Sequence, residues 1–153
     1  MPKGKEPILI VGGGPVGLTT ALRLSQLGLR SIVIEKNKTV QSELRASTFH
    51  PPTIEMLEEL GVAKELISIG LKTKCWQFRI HETGEKAVFD LKHISQDTKH
   101  PYRLQVEQKE LCRIATRKAE ADESIELRMG HKLEELRQKE GFVEIKARNK
   151  NHK

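Results

Sequence analysis

Near its amino terminus the chain contains Ile8-Leu9-Ile10-Val11-Gly12-Gly13-Gly14-Pro15-Val16-Gly17-Leu18, and a second apolar run, Ile32-Val33-Ile34, ends at Glu35. The continuous apolar run before the glycines is typical of a parallel strand buried on both faces. A helix is predicted from Pro15 to about Leu27, followed by a strand over the second apolar run. Strand, glycine turn, helix, strand and acid in this order predict a βαβ unit.

The spacing of the glycines predicts a dinucleotide site in this unit. Gly12 allows a tight turn after the strand, Gly14 lets a pyrophosphate approach the backbone, and Gly17 lets the helix pack close to the sheet. The helix N-terminus offers N–H groups and partial positive charge to the phosphates. Glu35 is positioned to accept hydrogen bonds from a ribose diol. The alternative is a glycine-rich turn of purely structural use.

Composition narrows the function classes. The 153 residues suffice for one domain, 1–153. Acidic and basic residues are interspersed along the chain and give a net charge of +6, and 4% of the residues are aromatic. This composition argues against nucleic-acid binding. The glycines interrupt the apolar run near the N-terminus, so we expect no integral membrane segment. No metal-ligand spacing is found among the six histidines, Cys75 and Cys112, so we expect no metal site. We expect the two cysteines to be reduced thiols and the protein to be cytoplasmic.

The remaining pattern alternates between helical and extended periods. We expect an irregular stretch from Asn37 to His50 and Trp76 in the core. An antiparallel excursion is expected at about 74–92, because apolar residues alternate on both sides of the turn Glu82-Thr83-Gly84. The other predicted elements are a helix from Pro51 to Gly61, a helix over Ala63 to Ile69, a helix from Glu107 to about Ala121, a strand over Ile125 to Met129 that could rejoin the parallel sheet, and strands over Lys132 to Gln138 and Phe142 to Arg148.

Three further segments complete the pattern: Leu44-Arg45-Ala46, the run from His50 to Gly61, and the run from Arg103 to Leu111. Together with the glycine motif and Glu35-Lys36, they resemble the class A flavoprotein monooxygenases, the p-hydroxybenzoate hydroxylase-like family. The resemblance covers nearly the whole chain. It implies an α/β fold, namely a Rossmann-like FAD-binding βαβ fold with an antiparallel excursion.

The resemblance also implies a cofactor site and a reaction. The matching arginine of the family contacts FAD, and the residues after it, here Ala46 to His50, pass beside the flavin. Gln105 matches a position on the flavin side of the cofactor. The implied reaction is hydroxylation of an aromatic or similar small-molecule substrate with FAD as cofactor and NAD(P)H and O₂ as co-substrates. The implied cofactor-binding residues are Gly12, Gly13, Gly14, Pro15, Val16, Gly17, Glu35, Lys36, Arg45 and Gln105.

FAD is favoured over NAD for three reasons. The glycine turn followed by Pro15 resembles flavin sites, because proline stiffens the start of the helix. Arg45 follows the second strand, where a guanidinium can bind a pyrophosphate bidentately. The long insertion before the third strand leaves room for a longer ligand. The alternatives are an NAD(P)-dependent dehydrogenase domain and a non-catalytic nucleotide-binding fragment.

The sequence lacks two motifs that the resemblance calls for. The family carries an Asp-Gly and a Gly-Asp motif in its later part, and neither dipeptide occurs here. We therefore expect an N-terminal portion of such an enzyme, with a fold incomplete at its C-terminal end. This short chain alone is not expected to be turnover-competent. Catalytic residues, the substrate and the oligomeric state are unknown from the sequence.

Overall fold

The computed structural model describes residues 6–39 and 45–149. The chain divides into two compact units, Met1–Glu43 with Leu111–Lys153, and Leu44–Glu110. The strands are β1 (Ile8–Val11), β2 (Ser31–Glu35), β3 (Thr48–Phe49), β4 (Leu71–Thr73), β5 (Cys75–Arg79), β6 (Lys86–Asp90), β7 (Arg103–Gln105), β8 (Ile125–Met129), β9 (His131–Gln138) and β10 (Val143–Asn149). The helices are α1 (Pro15–Gln26), α2 (Pro51–Glu59), α3 (Ala63–Ile69) and α4 (Gln108–Glu120), with a 3₁₀ turn at Leu91–Ile94.

The first unit contains the predicted βαβ arrangement. Strand β1 pairs in parallel with β2, with Ile8 opposite Ser31 and Val11 opposite Ile34. Strand β8 pairs in parallel with the other edge of β2, so the order is β1-β2-β8. This confirms both the βαβ prediction and the return of Ile125–Met129 to the parallel sheet. The carboxyl ends of all three strands therefore lie at one edge of the sheet, where ligands of such sheets bind.

The prediction that β1 is buried on both faces is wrong, since its middle residues are only half-buried and its end residues are exposed. Ile8 and Val11 are exposed, whereas Val33 and Ile34 of β2 are buried. The reason is position, because β1 forms an edge of the three-stranded sheet in the described part of the chain and β2 lies at its centre. An apolar run cannot by itself distinguish a central strand from an edge strand.

Helix α1 begins with Pro15 at its first position and ends before Gly28, which has φ of 72°. Leu18, Ala21 and Leu22 form its buried face. Near its carboxyl end, the Ser25 hydroxyl donates to Asp122 in the turn before β8. Asp122 also accepts from the backbone N–H and the hydroxyl of Ser124. These hydrogen bonds lower the pKa of Asp122 because they stabilise its charged form, and the hydrogen bond from Ser25 has the largest effect.

The second unit combines two helices with two small antiparallel sheets. Helix α3 has the predicted bounds, and α2 begins at Pro51 as expected. Three short strands that the periodicity did not predict form a sheet in the order β3-β7-β4. One of them, Thr48–Phe49, interrupts the stretch expected to be irregular, of which residues 40–44 lie outside the described residues. Strands of two or three residues are too short to show alternation.

The predicted antiparallel excursion is the hairpin of β5 and β6, with Trp76 opposite Phe89 and Phe78 opposite Ala87. The expectation that Trp76 belongs to the core is wrong. Trp76 is 39% exposed and stacks on Phe89 with ring centroids 4.2 Å apart. Every residue of β5 is exposed, so alternation here marks one apolar face of a ribbon and not a buried face.

The two carboxyl-terminal strands predicted from the sequence are present as β9 and β10. Strand β10 pairs with β9, with Ile145 opposite Leu136, and the register shifts between Lys146 and Ala147. Helix α4 buries Leu111, Cys112, Ile114, Ala115 and Ala119. None of the helices in the described part of the chain has the length and apolar character needed to cross a bilayer.

Candidate functional site

The glycine turn connects β1 to α1 with a geometry that only glycine tolerates at two positions. Gly12 has φ of 108°, and its N–H donates to the carbonyl oxygen of Ile34 at 2.8 Å, which joins the turn to β2. A Cβ at Gly17 would lie far closer than 3.0 Å to the carbonyl oxygen of Gly12, and 3.2 Å from Cγ2 of Ile10. Both glycines therefore shape the turn, as the motif predicts.

Gly14 has a different environment from these two glycines. It precedes α1 with φ of −81° and ψ of −174°, an extended conformation open to any residue. A Cβ at Gly14 would meet no atom within 4 Å. Nothing within the described protein therefore requires glycine here. The space beside Gly14 is open at the start of the helix.

The N-terminus of α1 is electrostatically suited to an anion. In its first turn the N–H groups, including those of Val16 and Gly17, have no carbonyl partner within the helix. Among the described residues, no side chain caps this end and no acidic residue lies in the first turn. Pro15 at the first position fixes the backbone, and Val16 is exposed beside it. No acidic residue within the first turn of α1 itself therefore offsets the partial positive charge of the helix end.

The carboxylate of Glu35, the last residue of β2, lies against the glycine turn. Its Oε2 accepts the N–H of Gly13 at 2.8 Å. Its Oε1 accepts the backbone N–H of Asn37 at 2.8 Å and the Asn37 side-chain amide at 2.7 Å. A Cβ at Gly13 would lie 3.0 Å from Cβ of Glu35, so glycine at position 13 leaves space for the acid. The structure thus brings Gly12 to Gly17 and Glu35 together, and Lys36 follows as an exposed residue.

The other two predicted site residues belong to the second unit. Arg45 is exposed and lies three residues before β3. Gln105 ends β7, where it pairs with Thr48 of β3 on one side and Leu71 of β4 on the other. The Thr48 hydroxyl donates to Oε1 of Gln105 at 2.8 Å, which directs the Gln105 amide donors away from Thr48.

Two polar contacts at these positions were not predicted from the sequence. Asn37 holds the Glu35 carboxylate, and Thr48 orients Gln105. A weak signal exists for Asn37, because asparagine two residues after a strand often hydrogen-bonds to nearby groups in a loop. No local pattern points to Thr48, since it meets Gln105 across 57 residues of sequence.

A buried polar side chain, His100, also lies in the second unit. Nδ1 of His100 lies 2.9 Å from the Tyr102 hydroxyl, and Nε2 lies 3.2 Å from Oε2 of Glu58. Burial, followed by the charge of Glu58, raises the pKa of Tyr102. Glu58 also lines an open cleft of about 740 Å³ with Glu55, whose Oε1 accepts from Thr98 at 2.5 Å. Within residues 6–39 and 45–149, no three His, Cys, Asp or Glu side chains form a group that could hold a metal ion.

Comparison with known proteins identifies the family. Residues 5–153 match the FAD binding domain family. The chain belongs to this family. The resemblance to class A flavoprotein monooxygenases is confirmed, and FAD is favoured over the nicotinamide dehydrogenase alternative.

Relatives of this FAD-binding chain include two curated enzymes. The 6-hydroxy-3-succinoylpyridine 3-monooxygenase of Pseudomonas putida is 36% identical over 124 residues, which cover 81% of this chain and 32% of that protein. The para-nitrophenol 4-monooxygenase of a Pseudomonas species is 32% identical over 143 residues, covering 93% of this chain and 35% of that protein. The chain thus spans about one third of the length of these relatives.

A solved structure supports the same fold. The crystal structure of p-nitrophenol 4-monooxygenase from Pseudomonas putida matches with a TM-score of 0.88 at 31% identity, over 95% of this chain and 37% of that chain. The prediction of an α/β FAD-binding fold is therefore confirmed.

Proposed function

We propose that this chain is the FAD-binding part of an NAD(P)H- and O₂-dependent flavoprotein monooxygenase that hydroxylates an aromatic or similar small molecule. The observation behind the proposal is the match to the FAD binding domain over residues 5–153, shared with relatives named as monooxygenases of substituted pyridine and phenol rings. The match includes both compact units, so we assign both to one FAD-binding domain. The use of NAD(P)H is consistent with a cytoplasmic location.

We assign the adenosine half of the cofactor to the first unit. The space beside Gly14 and the uncapped N-terminus of α1 fit a pyrophosphate. The Glu35 carboxylate, adjacent to the turn, fits a ribose hydroxyl. Gly12, Gly13, Gly17, Pro15 and Val16 form the turn and helix start, and Lys36 adds positive charge next to the acid.

We assign the remaining contacts to the second unit. Arg45 would bind the pyrophosphate through its guanidinium, and Gln105 would donate to an acceptor on the flavin side. When bound, FAD supplies the redox chemistry, whereas the protein binds and orients it. No described residue is assigned as a catalytic acid or base.

The ribose assignment predicts a loss of affinity when the acid is removed. Glu35→Ala deprives a ribose hydroxyl of a charged acceptor, so ADP binding should weaken by about 1.5–3 kcal/mol. Isothermal titration calorimetry with ADP measures this change. Glu123→Ala removes an equal charge from an exposed position of the same unit and should leave the affinity unchanged. Equal affinities of Glu35→Ala and the unmodified protein for ADP would refute the ribose assignment.

A second prediction concerns turnover by the 153-residue polypeptide. Hydroxylation needs a substrate held in position and water excluded, and the aromatic hairpin residues of the second unit, such as Phe78, are exposed to solvent. We expect no substrate-dependent oxidation of NADH or NADPH when FAD and a panel of phenols are supplied, as followed by absorbance of the reduced nicotinamide. Oxidation above the free-flavin background, with hydroxylated product, would show that the 153 residues catalyse the complete reaction.

A further inference from the structure

Asn37 makes two contacts with the same oxygen of Glu35. Its backbone N–H and its side-chain Nδ2 donate to Oε1 at 2.8 and 2.7 Å. The other oxygen, Oε2, accepts one hydrogen bond, from Gly13. A carboxylate has about four lone-pair positions, two on each oxygen. Oε1 is therefore saturated by Asn37, and Oε2 retains one position.

The backbone of Asn37 is itself fixed by the neighbouring strand connection. Its carbonyl oxygen accepts the N–H of Gly130 at 2.9 Å. Gly130 is buried between β8 and β9 and has φ of 76°, a left-handed conformation that favours glycine. Asn37 is thus held at its carbonyl and holds Glu35 through two donors. This arrangement orients the carboxylate before any ligand binds.

We propose that Asn37 is a positioning residue that leaves Glu35 one acceptor position, on Oε2, so that the adenosine ribose is recognised through a single hydroxyl. This goes beyond the expectation that Glu35 accepts from the whole diol, because two hydroxyls cannot both bind the one remaining position. The inference rests on the proposed function, since it requires the carboxylate to face the ribose of the cofactor.

The first test compares ADP with 2′-deoxy-ADP and 3′-deoxy-ADP by calorimetry. In the unmodified protein, one analogue should bind on the order of tenfold or more weaker than ADP, and the other within about twofold of it. In Asn37→Ala the difference between the analogues should shrink to about twofold or less, because the carboxylate is no longer held and Oε1 is open. Asn37→Asp, which keeps the shape but replaces the amide donor with a charged acceptor, should lose the difference as well.

Controls separate this inference from the function on which it rests. Thr39→Ala, an exposed residue of the same loop, should keep the discrimination of the unmodified protein. Equal losses with both analogues in the unmodified protein, or full discrimination in Asn37→Ala, would overturn the role of Asn37 while leaving ribose binding intact. If Glu35→Ala binds ADP and both analogues as the unmodified protein does, or if the unmodified protein does not bind ADP, the proposed function fails and the inference fails with it.

A second measurement needs no ligand. Glu35→Gln keeps the size of the side chain and removes its charge, so the hydrogen bonds from Gly13 and Asn37 lose their charged acceptor. We expect upfield shifts of the Gly13 amide proton and the Asn37 side-chain amide protons in the nuclear magnetic resonance spectrum, with little change at Thr39. Unchanged Asn37 signals would overturn the contact itself, whatever the nucleotide affinities show.

Discussion

Replacing Gly17 by alanine is expected to lower the free energy of unfolding by about 3 kcal/mol or more, the upper end of the cost of overpacking. The added Cβ would overlap the carbonyl oxygen of Gly12, and backbone atoms cannot rotate away as a side chain can. For a chain of this length the melting temperature should fall by roughly 6–12 °C. Thermal unfolding followed by circular dichroism measures the change.

The sign of this result distinguishes two physical effects. Alanine in a helix is usually more stable than glycine, by about 0.5–1 kcal/mol, so helix propensity alone predicts a gain from Gly17→Ala. The matched control is Gly14→Ala, where the new Cβ meets no atom within 4 Å and φ is −81°. We expect the control to unfold close to the unmodified protein. A stabilised Gly17→Ala variant would show that α1 does not approach the turn as closely as described.

Replacing Gly14 by valine is expected to weaken nucleotide binding while the fold persists. The structure has space for the side chain, so the cost to stability should be no more than about 1 kcal/mol, the usual scale of an unfavourable helix cap. The same space is where the pyrophosphate would approach the helix, and overpacking there costs about 1–3 kcal/mol, or roughly a tenfold to hundredfold loss of ADP affinity.

Calorimetry with ADP, together with a melting curve for the same sample, tests this prediction. Gly14→Ala should fall between the unmodified protein and Gly14→Val, because its side chain enters the space less deeply. Undiminished ADP binding by a folded Gly14→Val protein would refute the assignment of the pyrophosphate to this position. Gly17 and Gly14 therefore give opposite outcomes, since one glycine is required by the fold and the other is assigned to the ligand.

Much of the first unit follows from local sequence. The turn at Gly12, the end of α1 before Gly28 and the strand Ser31–Glu35 are specified by residues adjacent in the chain. The same holds for α3 in the second unit, whose bounds Ala63–Ile69 agree with the prediction. Such features depend on the backbone preferences of individual residues and on the short-range periodicity of apolar residues, and both can be read from the sequence.

The candidate site was predictable only in part. The glycines and Glu35 belong to one motif, so the structure places them together as expected. The contact of Asn37 with Glu35 was not predicted, because an asparagine in a loop has several possible partners. Roles assigned to Arg45 and Gln105 came from the resemblance to a family and remain predictions.

The amino-acid sequence by itself determined the βαβ unit, the hairpin turns and the residues of the dinucleotide motif, because each depends on interactions between near neighbours. Only the tertiary structure decided that Ile8 and Val11 are exposed at a sheet edge and that Trp76 lies on an open ribbon. It also decided which strands flank Arg103–Gln105. These outcomes depend on contacts between segments that are distant in the sequence. Those contacts, and not the local hydrophobic periodicity, decide whether an apolar side chain is buried.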